Sequence, residues 1–185
     1  MGERVKHCIA DNQGVERTLN RLAHEIVEKN RGAERIGLIG IRTRGAPLAE
    51  RLSRIISEIE KGRTVPVGIL DITLYRDDFL TARKTPQVQA TEIDFDINDR
   101  VIVLVDDVLF TGRTIRAAID AVLDYGRPAK IQLAVMVDRG HREMPVQGDF
   151  VGIRAVTAPG EEVRVHLREI DNEDEIVIME RTNEQ

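Results

Sequence analysis

The chain has 185 residues, 42% of them hydrophobic and 32% charged, with a formal net charge of −5. Those proportions suit one globular domain and exclude a disordered chain or one buried in lipid. Its single cysteine, Cys8, rules out an intrachain disulfide and a thiolate zinc site, and its longest apolar runs fall far short of the roughly 20 residues that span a membrane.

With no apolar core of a signal segment near the N-terminus, the expected location is the cytoplasm, with no membrane partner. The charge is unevenly placed: residues 161–185 hold nine Asp/Glu against three Arg, and residues 1–54 hold eleven Lys/Arg against seven Asp/Glu. An acidic total therefore leaves room for a basic surface and a nucleic-acid partner.

Along the chain, Val15, Leu19, Leu22, Ala23, Ile26 and Val27 recur at helical spacing, with Asp11 as a candidate cap and Gly32 as a stop. The opposite face carries Arg17, Arg21, His24 and Glu28 at spacings of four, three and four. This polar stripe is either a solvated face or a binding surface, and pattern alone does not choose. Residues 35–41 read as a strand, Arg42-Thr-Arg-Gly45 as a loop, and 47–59 as a helix. A strand follows at 65–72. The polar stretch 73–92 is long for a plain link; it reads as a lid or as an irregular excursion. The continuous apolar run 101–105 suits a central parallel strand buried on both faces. A helix over 114–125 stops at Gly126-Arg-Pro128, a strand follows at 131–137, and shorter strands are predicted at 150–153, 163–167 and 176–179. No internal repeat or linker interrupts the chain, so residues 1–185 form one expected domain. Its alternation of strand and helix predicts an α/β fold with a mainly parallel central sheet flanked by helices.

The segment richest in chemistry is Val105-Asp-Asp-Val-Leu-Phe-Thr-Gly-Arg-Thr114, in which a buried strand passes through two acids into a turn of small residues and then a helix. Backbone N–H groups of Thr111, Gly112, Arg113 and Thr114 lie at a helix start, where a phosphate is favoured, and Gly112 allows close approach. Asp106 and Asp107 stand at the carboxyl end of a strand, placed to accept hydrogen bonds from two ribose hydroxyls. Phosphate plus ribose is the implied ligand; the plain alternative is a capped strand-to-helix turn. Gly40 and Gly45 have P-loop spacing, but Ala46-Pro47 stands where Lys-Ser/Thr is needed, which excludes that motif.

The run resembles the phosphoribosyl-pyrophosphate (PRPP) signature of type I phosphoribosyltransferases. More narrowly, it and the segments Leu70-Asp-Ile-Thr-Leu-Tyr-Arg-Asp-Asp78, Gly126-Arg-Pro128 and Val137-Asp-Arg-Gly-His-Arg-Glu143 are similar to the pyrimidine-operon attenuation protein and uracil phosphoribosyltransferase family. The likeness extends in register over about residues 15–178. It implies transfer of a phosphoribosyl group from PRPP to uracil, giving UMP and pyrophosphate, together with uridine-nucleotide-dependent binding of pyrimidine-operon leader mRNA, UMP or UTP being the nucleotide. Two narrower readings stay open: a uracil phosphoribosyltransferase without RNA regulation, and an RNA-binding regulator whose weakly catalytic site senses nucleotide.

The resemblance also assigns roles. Asp106, Asp107 and Arg44 are the implied catalytic residues. PRPP would be held by Thr43, Arg44, Asp106, Asp107, Val108, Leu109, Phe110, Thr111, Gly112, Arg113 and Thr114, and Arg139 would lie at the base pocket that follows Val137 and Asp138. Mg2+ would be carried mainly by PRPP and water. The stretch 73–92 becomes a hood that closes over PRPP, with Arg76, Arg83 and Lys84 facing phosphate. The loop 42–45 often holds a non-proline cis peptide in the family. Arg17, Arg21 and His24 become RNA contacts, and a homo-oligomer, at least a dimer, is expected. The chain departs from the family where Gln147 replaces an arginine and where Ile153-Arg-Ala-Val-Thr-Ala-Pro-Gly160 replaces a Lys-Asn and Pro-Thr-Ser turn. Arg154 is the nearest basic substitute.

Overall fold

The computed structural model describes residues 2–75 and 90–182. The proposed hood charges Arg76, Arg83 and Lys84 lie outside the described residues. Elements follow in the order β1 (Gly2–Ala10), α1 (Asn12–Asn30), β2 (Ile36–Ile41), α2 (Gly45–Ile59), β3 (Val67–Leu70), β4 (Val101–Leu109), α3 (Arg113–Leu123), β5 (Lys130–Asp138), β6 (Phe150–Arg154), β7 (Glu161–His166), α4 (Arg168–Asp171) and β8 (Glu175–Thr182). A single 3-10 turn, Thr73–Tyr75, follows β3.

Five strands form a parallel sheet in the order β3-β2-β4-β5-β6. Because side chains alternate between the faces of a strand, Leu38, Val103, Val105, Ala134 and Met136 meet α1 and α2 on one side. Their neighbours Ile39, Ile102, Leu104, Leu133 and Val135 meet α3 on the other. A strand covered on both faces must be apolar throughout, and β2 is buried at all six positions. Asp11 caps α1 by accepting the Gly14 N–H at 2.8 Å. The helix ends where Arg31 turns left-handed and Gly32 donates back to the Val27 carbonyl.

The predicted strands near 163–167 and 176–179 do not join the parallel sheet. They form a separate antiparallel sheet, ordered β1-β8-β7, whose Val163, Val165 and Ile176 share the core of α1 and α2. β1 was not expected. Its sequence alternates charges with short apolar residues and carries register shifts between Val5 and His7 and between Cys8 and Ala10, which break the period of two. β4 extends four residues beyond the predicted 101–105 because its ladder with β5 continues through Leu109, whereas its ladder with β2 stops at Val105. α3 starts one residue before the predicted 114–125 and ends two residues before it. No helix among the described residues is long and apolar enough to cross a membrane.

Candidate active site

The chain leaves β2 toward β3 on one side, through α2, and leaves β4 toward β5 on the other, through α3. Open parallel sheets bind ligands at the carboxyl edge where the strand order diverges in this way. Three segments meet there.

The first is the loop after β2, where the Arg42–Thr43 peptide is cis. Thr43 is exposed, and Arg44 is the N-cap residue of α2. A Cβ on Gly45 would sit on the Val105 carbonyl oxygen, and one on Gly40 on the Gly45 carbonyl, so both glycines are needed for α2 to begin against β4. Arg44 donates from Nη2 to Asp171 Oδ1 at 2.8 Å, while its Nε is buried without a hydrogen-bond partner.

The second segment runs from Asp106 to Thr114. Asp106 is 7% exposed, and its Oδ1 accepts the Asp107 N–H at 3.0 Å. Asp107 accepts the Val108 N–H at 2.8 Å. Burial pushes the Asp107 carboxyl above the ordinary range, against the Val108 N–H and the charge of Arg44, which pull it down. Val108 is half-buried, Leu109 is buried, and Phe110 stands exposed at the rim. Gly112, at φ +91°, is the N-cap of α3, and no side chain caps the helix, leaving its first turn facing the cleft edge.

The third segment follows β5 and is laced to the second. The Thr111 carbonyl accepts the N–H groups of Glu143 and Met144 at 2.9 and 3.0 Å, and Arg113 pairs with Glu143 at 2.7 Å. Asp138 accepts from Arg142 Nη2 at 2.6 Å and from the Gly140 N–H. Arg142 also donates to the carbonyls of Val146, Phe110 and Gly140. Arg139 reaches the site sideways: its guanidinium lies 3.9 Å from the Phe110 ring centroid and donates to Thr157 Oγ1 and the Glu161 carbonyl. The His141 ring contacts the Thr157 carbonyl and meets the Phe110 ring edge-on.

A profile described as Phosphoribosyl transferase domain matches residues 7–169. Proteins named Bifunctional protein PyrR are similar over nearly the whole chain. The one from Pelotomaculum thermopropionicum is 56% identical over 96% of this chain and 97% of its own. That from Thermus thermophilus is 56% identical over 96% and 98%.

This chain belongs to the PyrR family.

Solved structures agree on the fold. A hypoxanthine-guanine phosphoribosyltransferase from Bacillus anthracis superposes with a TM-score of 0.69 at 17% identity, over 94% of this chain and 98% of its own. The hypoxanthine phosphoribosyltransferase of Trypanosoma cruzi gives 0.69 at 16%, over 94% and 96%. The predicted type I phosphoribosyltransferase fold is therefore the observed one.

In this PyrR-family chain the structure brings Thr43, Arg44 and the run from Asp106 to Thr114 together at the carboxyl end of the parallel sheet and sets Arg139 against Phe110. Arg17, Arg21 and His24 form a separate exposed stripe on α1. Arg21 is partly committed there, pairing with Glu25 at 2.6 Å and donating to the Gly152 carbonyl in the middle of β6. Sequence reasoning missed Arg142, Asp171 and Asp174. The first lay inside a quoted motif without a role. The two acids were visible only as part of the tail's negative charge.

Proposed function

We propose that the chain transfers the phosphoribosyl group of PRPP to uracil and that the outer face of α1 binds pyrimidine-operon leader RNA under control of a uridine nucleotide. The observation that supports the first half is the meeting of the Arg44 loop, the Asp106–Thr114 segment and the Arg139–Glu143 segment at the switch point of the parallel sheet. In the reaction the bond from ribose C1 to the pyrophosphate oxygen breaks, and its electron pair leaves with pyrophosphate. Uracil N1 bonds to C1 and gives up its proton. Positive charge grows on the sugar and negative charge on the leaving group, so catalysis is chiefly electrostatic. Asp106 and Asp107 orient the ribose and face its developing charge. The Thr111–Thr114 turn and the first turn of α3 hold the 5-phosphate, and Thr43 and Arg44 meet the departing pyrophosphate. Phe110, backed by the Arg139 guanidinium, offers a flat apolar surface to the pyrimidine ring.

Mg2+ fits this donor set as a companion of PRPP. The cleft offers two adjacent carboxylates, Asp106 and Asp107, and a small hard cation keeps most of its own waters. Bound with PRPP, it offsets oxygen charge on the leaving group.

Labelled uracil incubated with PRPP and Mg2+ should yield UMP, while hypoxanthine in parallel should not react. Asp107→Ala should lower turnover by about 100-fold or more; wild-type turnover in that variant would remove Asp107 from the site. For the regulatory half, Arg17 is the cleaner probe, because replacing Arg21 also removes its bond to Gly152. Arg17→Ala should weaken leader RNA binding by about fivefold or more, with UMP present, through loss of a phosphate or base-stacking contact. Unchanged binding would place the RNA surface elsewhere.

A further inference from the structure

The turn that joins β7 to β8 is tied to α2 twice. Arg51, seven residues after Arg44 and therefore two turns along the same face of the helix, donates to Glu169 Oε1 at 2.8 Å and to Asp174 Oδ1 at 2.7 Å. Arg44, at the start of the helix, donates to Asp171. The turn is itself braced by side-chain caps: Asp171 Oδ2 accepts the Leu167 N–H at 2.9 Å, and Asp174 Oδ1 accepts the Arg168 N–H at 2.8 Å. A carboxylate 127 positions away in sequence is thus delivered, on a braced turn, to the arginine at the edge of the cleft.

The two ties differ in what they hold. Arg51 is bound by two carboxylates and is 15% exposed at its side chain, two helical turns from Arg44. The Arg44 side chain makes one hydrogen bond among the described residues, the one to Asp171, and its charge also acts on Asp107. Without that bond the guanidinium would swing through the rotamers open to a long side chain, and its fork would face the cleft only part of the time.

We propose that Asp171 is a positioning residue for phosphoribosyl transfer, holding the Arg44 guanidinium at the cleft edge so that its remaining N–H groups meet the departing pyrophosphate. This rests on the reading of Arg44 as the leaving-group contact. Asp171 touches no reacting atom; it acts through Arg44.

The test compares ligands with and without a pyrophosphate group. Asp171→Asn should weaken inhibition by free pyrophosphate, and raise the KM for PRPP, by about tenfold, while UMP affinity and the KM for uracil stay within about twofold. Asp171→Glu, which keeps the charge, should recover part of the loss. Glu169→Gln loosens the same turn through Arg51 alone, so its melting temperature should fall while its kinetic constants hold. In an Arg44→Gln background, Asp171→Asn should add nothing further, as expected of residues that act as one unit. Equal weakening of pyrophosphate and UMP by Asp171→Asn, or effects that multiply with those of Arg44→Gln, would overturn the proposal and leave Asp171 a structural brace. If Arg44→Gln impairs pyrophosphate binding and Asp171→Asn does not, the positioning role alone fails. If Arg44→Gln itself leaves pyrophosphate binding intact, the reading of Arg44 fails with it.

Discussion

Asp107 is a residue whose folded environment works against it. A carboxyl raised above its unfolded value favours the folded state while protonated, and that contribution is lost as pH rises through the folded value. At neutral pH the charged Asp107 therefore costs stability. Asp107→Asn keeps an acceptor for the Val108 N–H without the charge, so it should raise the melting temperature of the ligand-free protein while impairing uracil transfer. Paired thermal melts and turnover assays check both halves, and a lowered melting temperature would contradict the burial argument. The placement of Asp106 and Asp107 was legible in the sequence because it is local: strand, two acids, small-residue turn and helix are contiguous. Asp171 and Asp174 were not, because their meaning comes from Arg44 and Arg51, 127 and 123 positions away. Arg139 falls between these cases. Its place beside the cleft was legible from the motif, but the stacking on Phe110 and the bonds to Thr157 and Glu161 depend on a turn with no local signal.

Among the elements, those with a clean apolar period were readable and those defined by pairing were not. β2, α2 and β5 announce themselves through burial, whereas the end of β4 depends on which neighbour is followed: β2 releases it at Val105 and β5 holds it to Leu109. That difference opens the cleft, since Asp106 and Asp107 lie past the last β2 partner yet still inside a ladder. The junction of β2, β4 and α2 depends on Gly45, where an added methyl meets backbone rather than a yielding side chain. Gly45→Ala should cost about 2 to 3 kcal/mol and distort the Arg44 loop. Gly62→Ala, at φ +90° with open space around it, should cost only about 1 kcal/mol. Chemical denaturation of both variants separates steric from conformational cost; equal losses would mean that the backbone at Gly45 moves aside.

Over the whole molecule, the uneven charge seen in the sequence becomes a set of long-range pairs. The acidic C-terminal stretch folds back on the basic N-terminal part through Arg4–Glu180, Lys6–Glu161, Arg44–Asp171, Arg51–Glu169 and Arg51–Asp174. The bond from Lys6 holds Glu161 below the ordinary range, and that from Arg51 does the same for Glu169. Burial pushes Asp171 and Asp174 up, yet backbone N–H groups and arginines outweigh it and hold both down. Carboxyls lowered in the folded state contribute stability above their unfolded values, near pH 4, and lose it as pH falls through the folded ones. Melting temperature should therefore drop as pH falls below about 4, and Asp174→Asn should flatten that drop; an unchanged profile in the variant would contradict the assignment.

The pairing of β1 with β8 carries a further consequence for how the chain is made. β1 emerges from the ribosome before the strand it pairs with, which comes after nearly all the other described elements, including every strand of the parallel sheet. Until β8 follows, β1 is an unpaired edge, the kind of segment that joins the wrong partner. Glu3, Arg4 and Lys6 make such mispairing unfavourable until Glu180 and Glu161 arrive to neutralise Arg4 and Lys6. The charges that hid β1 from a search for apolar alternation are what protect it while it waits.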